Sequence, residues 1–308
     1  MDFSQPDKNM AKKLTIKLDT SKYKTPSQEE LDAAKQYVVR TNNAANAMRE
    51  IAEDEITDTA AELVKIADKY NIDPQRFAFD SDVSEPMMDE VAAVMDNLED
   101  SLMRHLEDYT TKPTTNDGSH ALIWAFVLAL GHRNMGMRQT LHQYLWRTLR
   151  QTEALIAAGK TLKLPQQQII SNVRSDLANM RGSRMFNAIQ SYRHLFDAQF
   201  IRNGGMATYS DGTPNAQGVP TSGLTAILNT LGGAVTQAWR YAEQQEMQQN
   251  GAIGYWQFRG SDYPCDSCDE ETGFHELGDR EYDPYPHPHC MCGRIPIYKK
   301  QELDNMTI

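Results

Sequence analysis

The four cysteines of the chain lie close together near its C-terminus, and residues 1–264 contain none. Cys265 and Cys268 form a Cys-x-x-Cys pair, and Cys290 and Cys292 form a Cys-x-Cys pair shortly after His287. Two thiolates on one tight turn and two on a second loop can complete a tetrahedral zinc site. A small domain buries little apolar surface, so a metal ion or disulfides often supply the stability that it lacks. The spacing therefore predicts a small C-terminal module with its own source of stability.

The most direct use of the four thiols is structural zinc held by Cys265, Cys268, Cys290 and Cys292, a donor set that leaves no open coordination position. His287 is an alternative ligand in place of one cysteine. The first 13 residues are polar and charged, unlike an export signal, so we expect a reducing cytosol that favours metal-bound thiolates. Disulfides and packed thiols remain open as alternatives.

Catalytic uses of this segment require residues that the sequence does not supply in the right places. Zinc deaminases need a His-x-Glu to accompany their Pro-Cys-x-x-Cys, and here the sole His-x-Glu begins at His105, on a predicted helix. A metal-dependent nuclease would use Asp283, His287 and His289, but the surrounding acidic residues would repel a phosphate backbone. We therefore do not expect this segment to be catalytic.

The residues around the cysteines follow a longer pattern. A Trp and an Asp precede the first pair, a Gly follows it, and the second pair ends a Pro-His-Pro-x-Cys-x-Cys run. The residues of this pattern are Trp256, Asp262, Cys265, Cys268, Gly273, Pro286, His287, Pro288, Cys290 and Cys292. The pattern resembles the C-terminal signature of the Mu F-like minor head proteins of tailed bacteriophages. The chain departs from that signature at Met291, where the family usually has Arg, and at His289, where Asn is common. The resemblance covers about the last 70 residues.

The resemblance implies a minor head, or head-morphogenesis, protein of a tailed phage or prophage that takes part in capsid assembly and in DNA packaging or delivery. The implied partners are the portal protein and other head proteins, in an oligomeric or ring-associated state, with transient contact to packaged DNA and none to a membrane. The implied location is the portal vertex of the virion head, and the host cytoplasm during assembly. A zinc-dependent enzyme of nuclease or toxin type, and a zinc-binding scaffold unrelated to phage, remain as alternatives.

Charge is distributed unevenly along the chain, whose formal net charge is −11. Residues 53–108 contain 17 acidic and four basic residues, net −13, whereas residues 109–250 contain 13 basic and seven acidic residues, net +6. An overall acidic balance argues against a general nucleic-acid coat. The two blocks indicate either a polarised contact surface or solvated helix faces.

The hydrophobic pattern predicts a mainly α-helical body followed by a small α+β cysteine-rich module resembling a zinc knuckle. The predicted regions are an extended arm over 1–24, a helical domain over 25–202, a Gly-rich loop or hinge over 203–223, and a helix plus the cysteine module over 224–308. Ser27 and Glu30 form a capping box at the start of the first helix. Leu141, Leu145 and Leu149 mark one apolar helix face.

Three further expectations concern particular segments. Residues 121–130 are wholly apolar and too short to span a bilayer, so we expect a buried helix there, continuing through Gly131 and Gly136. His105 lies on an apolar helix stripe, which favours a packed histidine over a ligand. Aromatic residues at 255–258 predict one strand, and the Ile-Pro alternation at 294–298 predicts an edge strand.

Overall fold

The computed structural model of the protein describes residues 19, 22–73, 85–113, 117–131, 135–177, 223–260, 266–277 and 292–299. These residues are mainly helical, with one small antiparallel sheet near the C-terminus, as the sequence predicts. The elements are α1 (Gln28–Lys69), α2 (Glu85–Thr111), α3 (Asp117–Ala129), α4 (Met137–Thr161), α5 (Gln166–Asp176), α6 (Gly223–Gln249), β1 (Gly254–Phe258), α7 (Asp266–Glu270), β2 (Gly273–Glu276) and β3 (Gly293–Ile297).

The chain divides into two compact units, each assembled from separate stretches. We call the first the sheet unit (Met1–Ala47, Tyr109–Val127 and Gly233–Ile308) and the second the helical unit (Met48–Asp108 and Leu128–Gly232). The predicted arm over 1–24 falls outside the described residues except for Asp19 and residues 22–24. The predicted hinge over 203–223 also falls outside them, except for Gly223, where α6 begins.

The start of α1 confirms the predicted capping box. The Ser27 backbone N–H donates to Glu30 Oε2 at 2.6 Å, and the Glu30 backbone N–H donates to Ser27 Oγ at 3.2 Å. These two bonds satisfy donors that an isolated helix N-terminus leaves without acceptors. The helix then continues for 42 residues.

The core of the helical unit comes from buried aliphatic side chains on α2, α4 and α5 and on the part of α1 that follows residue 47. Leu141, Leu145 and Leu149 are all buried, which confirms the predicted apolar face of α4. His105 is half-buried and lies 3.1 Å from Glu55 Oε1 through its Nε2, which agrees with a packed histidine. In this unit Arg138 bonds to Glu99 and to Asp100 at 3.0 and 2.8 Å.

The segment around α3 differs from the prediction in two ways. Residues 121–129 are helical, but Leu122 and Leu128 are 47% and 40% exposed, so the expected burial of this whole run is wrong. The predicted continuation through the glycines is also wrong, because α3 ends at Ala129 and α4 begins at Met137. At Gly131 a Cβ would lie 1.7 Å from the Met135 carbonyl oxygen, so no larger residue fits at this position.

The sheet unit joins parts of the chain that are far apart in sequence. Tyr37 Oη of α1 donates to the Trp239 carbonyl oxygen of α6 at 2.6 Å, and Trp239 Nε1 donates to the Tyr109 carbonyl oxygen at 2.8 Å. The rings of Phe126 and Tyr241 stack with centroids 4.5 Å apart. α6 therefore contacts both other stretches of this unit before it leads into the sheet.

The strands are ordered β2-β1-β3, and both pairings are antiparallel. β1 and the edge strand β3 confirm the two predicted strands, whereas β2 and α7 were not predicted. At the outer edge of β3, Tyr23 forms a β-bridge with Lys299, and the Lys24 N–H donates to the Tyr298 carbonyl oxygen at 3.0 Å. None of the described helices has both the length and the apolar content that crossing a bilayer requires.

Candidate metal centre

The topology of the sheet brings parts of both cysteine pairs to one end of it. Phe258, the last residue of β1, pairs with Gly293, the first residue of β3. Its neighbour Gln257 pairs with Gly273, the first residue of β2. Cys292 directly precedes β3, and Cys268 lies on α7, which directly precedes β2. Both cysteines therefore lie at the end of the sheet where β1 finishes and its two neighbours start.

Both of these cysteines are buried, each about 5% exposed. Thr272 Oγ1 donates to the Cys268 carbonyl oxygen at 2.9 Å, which fixes the end of α7 against the start of β2. Arg240 Nη2 of α6 donates to the Cys292 carbonyl oxygen, and the Arg240 side chain is itself buried. Hydrogen bonds from a charged donor are stronger than neutral ones, so the backbone at Cys292 is held firmly by α6.

An ion pair closes the loop that carries the first cysteine pair. Arg259, one residue after β1, donates from Nη1 to Asp269 Oδ1 of α7 at 2.7 Å. The Asp269 side chain is about half exposed, so this pair contributes little to stability by itself. Its geometric effect is to keep α7 beside the end of β1.

The sheet packs on a small apolar cluster formed with α1. The buried members are Ala34, Val38, Phe258 and Ile295, and Leu31 and Trp256 pack against them. Close packing extends to Gly293, where a Cβ would lie 2.3 Å from the Phe258 ring and 2.6 Å from Val38. The residue that follows Cys292 must therefore be glycine.

Trp256 and Gly273 belong to the signature but are not cysteines, and both have structural roles in the sheet. Trp256 packs on the apolar cluster from the middle of β1. Gly273 has a φ of +142°, a conformation that residues with a side chain rarely adopt, and it begins β2 immediately after the loop of the first pair. The pattern around the cysteines thus includes positions that the sheet itself requires.

A small cavity lies beside Cys292, between α1, α6 and the start of β3. It has a volume of about 10 Å³, near the size that holds one water molecule. Its lining includes Tyr37, Thr236, Arg240, Glu243, Cys292 and Gly293. Burial raises the pKa of Glu243 to about 7; Arg294 and Arg240 oppose the rise, and Glu246 adds to it. Sequence reasoning missed Glu243 because it lies in a Gln-rich helix end, far from the cysteines along the chain.

The remaining predicted ligands cannot be placed with these two. Cys265, Cys290 and the alternative ligand His287 lie outside the described residues, as do Asp262, Asp283 and His289. Across the described ranges, which include two of the four cysteines, no three His, Cys, Asp or Glu side chains come together as a metal-binding group. The metal site therefore stays a prediction. Burial keeps Cys268 and Cys292 away from bulk solvent, as ligands of a closed site require.

The chain was compared with protein-family models, with curated proteins and with solved structures, and none of the three comparisons gave a match.

Proposed function

We propose that the chain is a minor head, or head-morphogenesis, protein of a tailed bacteriophage or prophage, which acts by binding the portal rather than by catalysis. The observation that carries this proposal is the agreement between signature and topology in the last part of the chain. Along the chain the two cysteine pairs of the signature precede β2 and β3, and the sheet brings the starts of these strands to one end.

Zinc belongs to the same proposal, with Cys265, Cys268, Cys290 and Cys292 as ligands. Bound there, a zinc ion would supply a tetrahedral crosslink with no position open for substrate. The protein's own residues prepare the two described positions: Thr272 and Arg240 fix the backbone at Cys268 and Cys292, and Arg259 keeps α7 beside the sheet. Such a site holds a small sheet together and has no catalytic task.

A binding role agrees with the charge distribution. The segment 53–108 has a net charge of −13 and the segment 109–250 a net charge of +6. Charged surfaces of this kind steer association and exclude wrong partners more than they raise affinity. They are the candidate contact surfaces for the portal ring and for neighbouring head proteins, and the basic segment is the candidate for transient contact with packaged DNA.

The test is co-expression of the tagged full chain with the portal protein of the phage or prophage that encodes it, followed by size-exclusion chromatography and negative-stain imaging. We expect co-elution with the portal and additional density on the ring. A matched control replaces that portal with one from an unrelated phage, which should not co-elute. A monodisperse free chain beside an empty ring would contradict the proposal.

A further inference from the structure

An apolar cavity opens on the surface of the helical unit, between α2 and α4. Its buried floor is formed by Val91, Leu145 and Leu149, and its sides by Met88, Met95 and Trp146. The volume is about 140 Å³. An apolar cavity of about 150 Å³ is large enough to take a benzene molecule. The cavity is therefore the right size for one aromatic side chain supplied by another molecule.

One side of the cavity is fixed in place before anything binds. Trp146 is 41% exposed, yet its Nε1–H donates to His142 Nε2 at 2.7 Å. Because Nε2 is the acceptor, the other ring nitrogen of the neutral histidine has the proton, and His142 Nδ1–H donates to Glu99 Oε2 at 2.8 Å. Glu99 also accepts from Arg138 at 3.0 Å. A side chain held in this way loses little conformational entropy on binding, which favours affinity.

The charges beside the cavity indicate what kind of segment would bind. α2 contains eight acidic residues and one basic residue. Asp89 and Asp96 are exposed and lie three residues before and four residues after Ala92, which lines the cavity. They are therefore about 10.5 Å apart along the helix, one turn on either side of the opening. Within the part of the chain that the structure describes, neither makes an ion pair.

We propose that this cavity is a docking site for an amphipathic helix of a partner protein. The helix inserts one aromatic side chain between Met88, Met95 and Trp146, and it presents Lys or Arg one turn before and one turn after that side chain, opposite Asp89 and Asp96. Helices commonly dock by inserting such an apolar residue into a groove, and flexible Met side chains suit this kind of surface. The proposal uses none of the cysteines, so it is tested separately from the zinc site.

The probe is a synthetic helical peptide with a central Phe and with Lys at the positions three before and four after it. Its binding to the full chain is measured by fluorescence anisotropy and compared with the same peptide in which Glu replaces both Lys. We expect the Lys peptide to bind at least about tenfold more tightly, and the Asp89→Asn/Asp96→Asn double variant to remove that preference. Equal binding of the two peptides to the unaltered chain would overturn the proposal.

Two exposed neighbours on α2 provide a matched pair of variants. Ala92→Trp fills the cavity, whereas Ala93→Trp places the same side chain at a residue that is also exposed and does not line the cavity. We expect the first to weaken binding of the Lys peptide about tenfold or more, and the second to leave it within about twofold. Equal effects of the two variants would overturn the proposal.

Sedimentation of the full chain without peptide identifies a different occupant. Self-association that rises with concentration, and that Ala92→Trp abolishes while Ala93→Trp does not, would show that a second copy of this chain fills the cavity. That result would also overturn the proposal. A chain that sediments independently of concentration, together with the expected peptide preference, would support it.

Discussion

The helical unit and the C-terminal sheet obtain their stability in different ways. In the helical unit, Leu102, Leu106, Leu141 and Leu155 are fully buried within long helices. In the sheet, Phe258 and Ile295 are the buried strand residues of the small cluster with α1, and Ile297 is also fully buried. Burying a leucine or phenylalanine contributes about 1.5–3 kcal/mol, so the sheet gains far less from burial than the helices do. A fold of this size needs crosslinks or directional bonds to remain ordered.

The sheet also buries more polar groups for its size. Arg240, Gln257 and Arg294 are each at most 5% exposed, and all three lie on or against the strands. Buried polar groups cost free energy unless they form hydrogen bonds, and when they do, they select one arrangement over others. The comparison therefore predicts that damage to the cysteine end unfolds the sheet locally, whereas damage to the helical core lowers the stability of the helical unit.

The largest expected effect is that of removing the proposed zinc ion. Structural zinc typically contributes on the order of 10 kcal/mol to folding of its site. We expect a strong chelator to lower amide protection in β1 by at least about 100-fold while protection around Leu141–Leu149 of α4 is retained. Hydrogen exchange with mass spectrometry measures both, and the same chelator preloaded with zinc is the control. Equal loss of amide protection in β1 and in α4 would show that the sheet does not depend on metal more than the helical unit does.

Truncation in the helical core comes next. Leu141→Ala deletes a fully buried side chain, and we expect the free energy of unfolding to fall by about 2–5 kcal/mol. Leu122→Ala makes the same chemical change at a residue that is 47% exposed, and it should cost no more than about 0.5 kcal/mol in unfolding. Chemical denaturation followed by circular dichroism measures both. Similar costs for the two variants would show that α4 does not form the core we describe.

A glycine substitution measures how much the backbone conformation at the start of β2 contributes to stability, apart from side-chain packing. Gly273→Ala places a side chain at a φ of +142°, and nothing lies within 4 Å of the new Cβ, so any cost arises from the backbone alone. We expect a loss of about 1–3 kcal/mol, seen as weaker protection of β2 and β1. Gly251→Ala, at a φ of +75° after α6, tests a commoner left-handed conformation and should cost about 1 kcal/mol. If Gly273→Ala left the free energy of unfolding unchanged, the backbone at this turn would be able to relax.

The smallest expected effect is a dependence on pH. Burial raises the pKa of Glu243 from its ordinary value of 4.5 to about 7, so between these values the folded protein binds more protons at this group than the unfolded chain does. The contribution of Glu243 to stability therefore falls as the pH rises from about 4.5 to 7. We expect a loss of about 1–2 kcal/mol between pH 5 and pH 8 that Glu243→Gln removes. Denaturant titrations at both pH values measure the free energy of unfolding. The same loss between the two pH values in the Glu243→Gln variant would contradict the assignment.

Local signals in the sequence predicted the helices well. The capping box at Ser27 and Glu30 involves residues three apart, and the apolar face of α4 follows the helical period, so both can be recognised without knowledge of the fold. On α2 the buried Met103 lies about 160° around the helix from His105, outside the apolar stripe that contains this histidine. Burial on α2 extends over a wider arc than one apolar stripe, which periodicity alone does not reveal.

The parts that the sequence did not predict depend on contacts between distant residues. β2 is four residues long with one large apolar side chain, and it becomes a strand only through pairing with β1. The bond from Arg240 to the Cys292 carbonyl oxygen joins residues 52 apart, and no spacing rule indicates it. The cysteine spacing did predict a small module and its candidate ligands, but not that α6 would hold one of them.

The most direct test of this account is the metal content of the full chain, purified without added metal and measured by elemental mass spectrometry alongside a count of reactive thiols. We predict about one zinc per chain, lost in Cys268→Ser and in Cys292→Ser and retained in Thr272→Val, which removes a hydrogen bond but no ligand. A metal-free protein whose cysteines are protected as disulfides would contradict it.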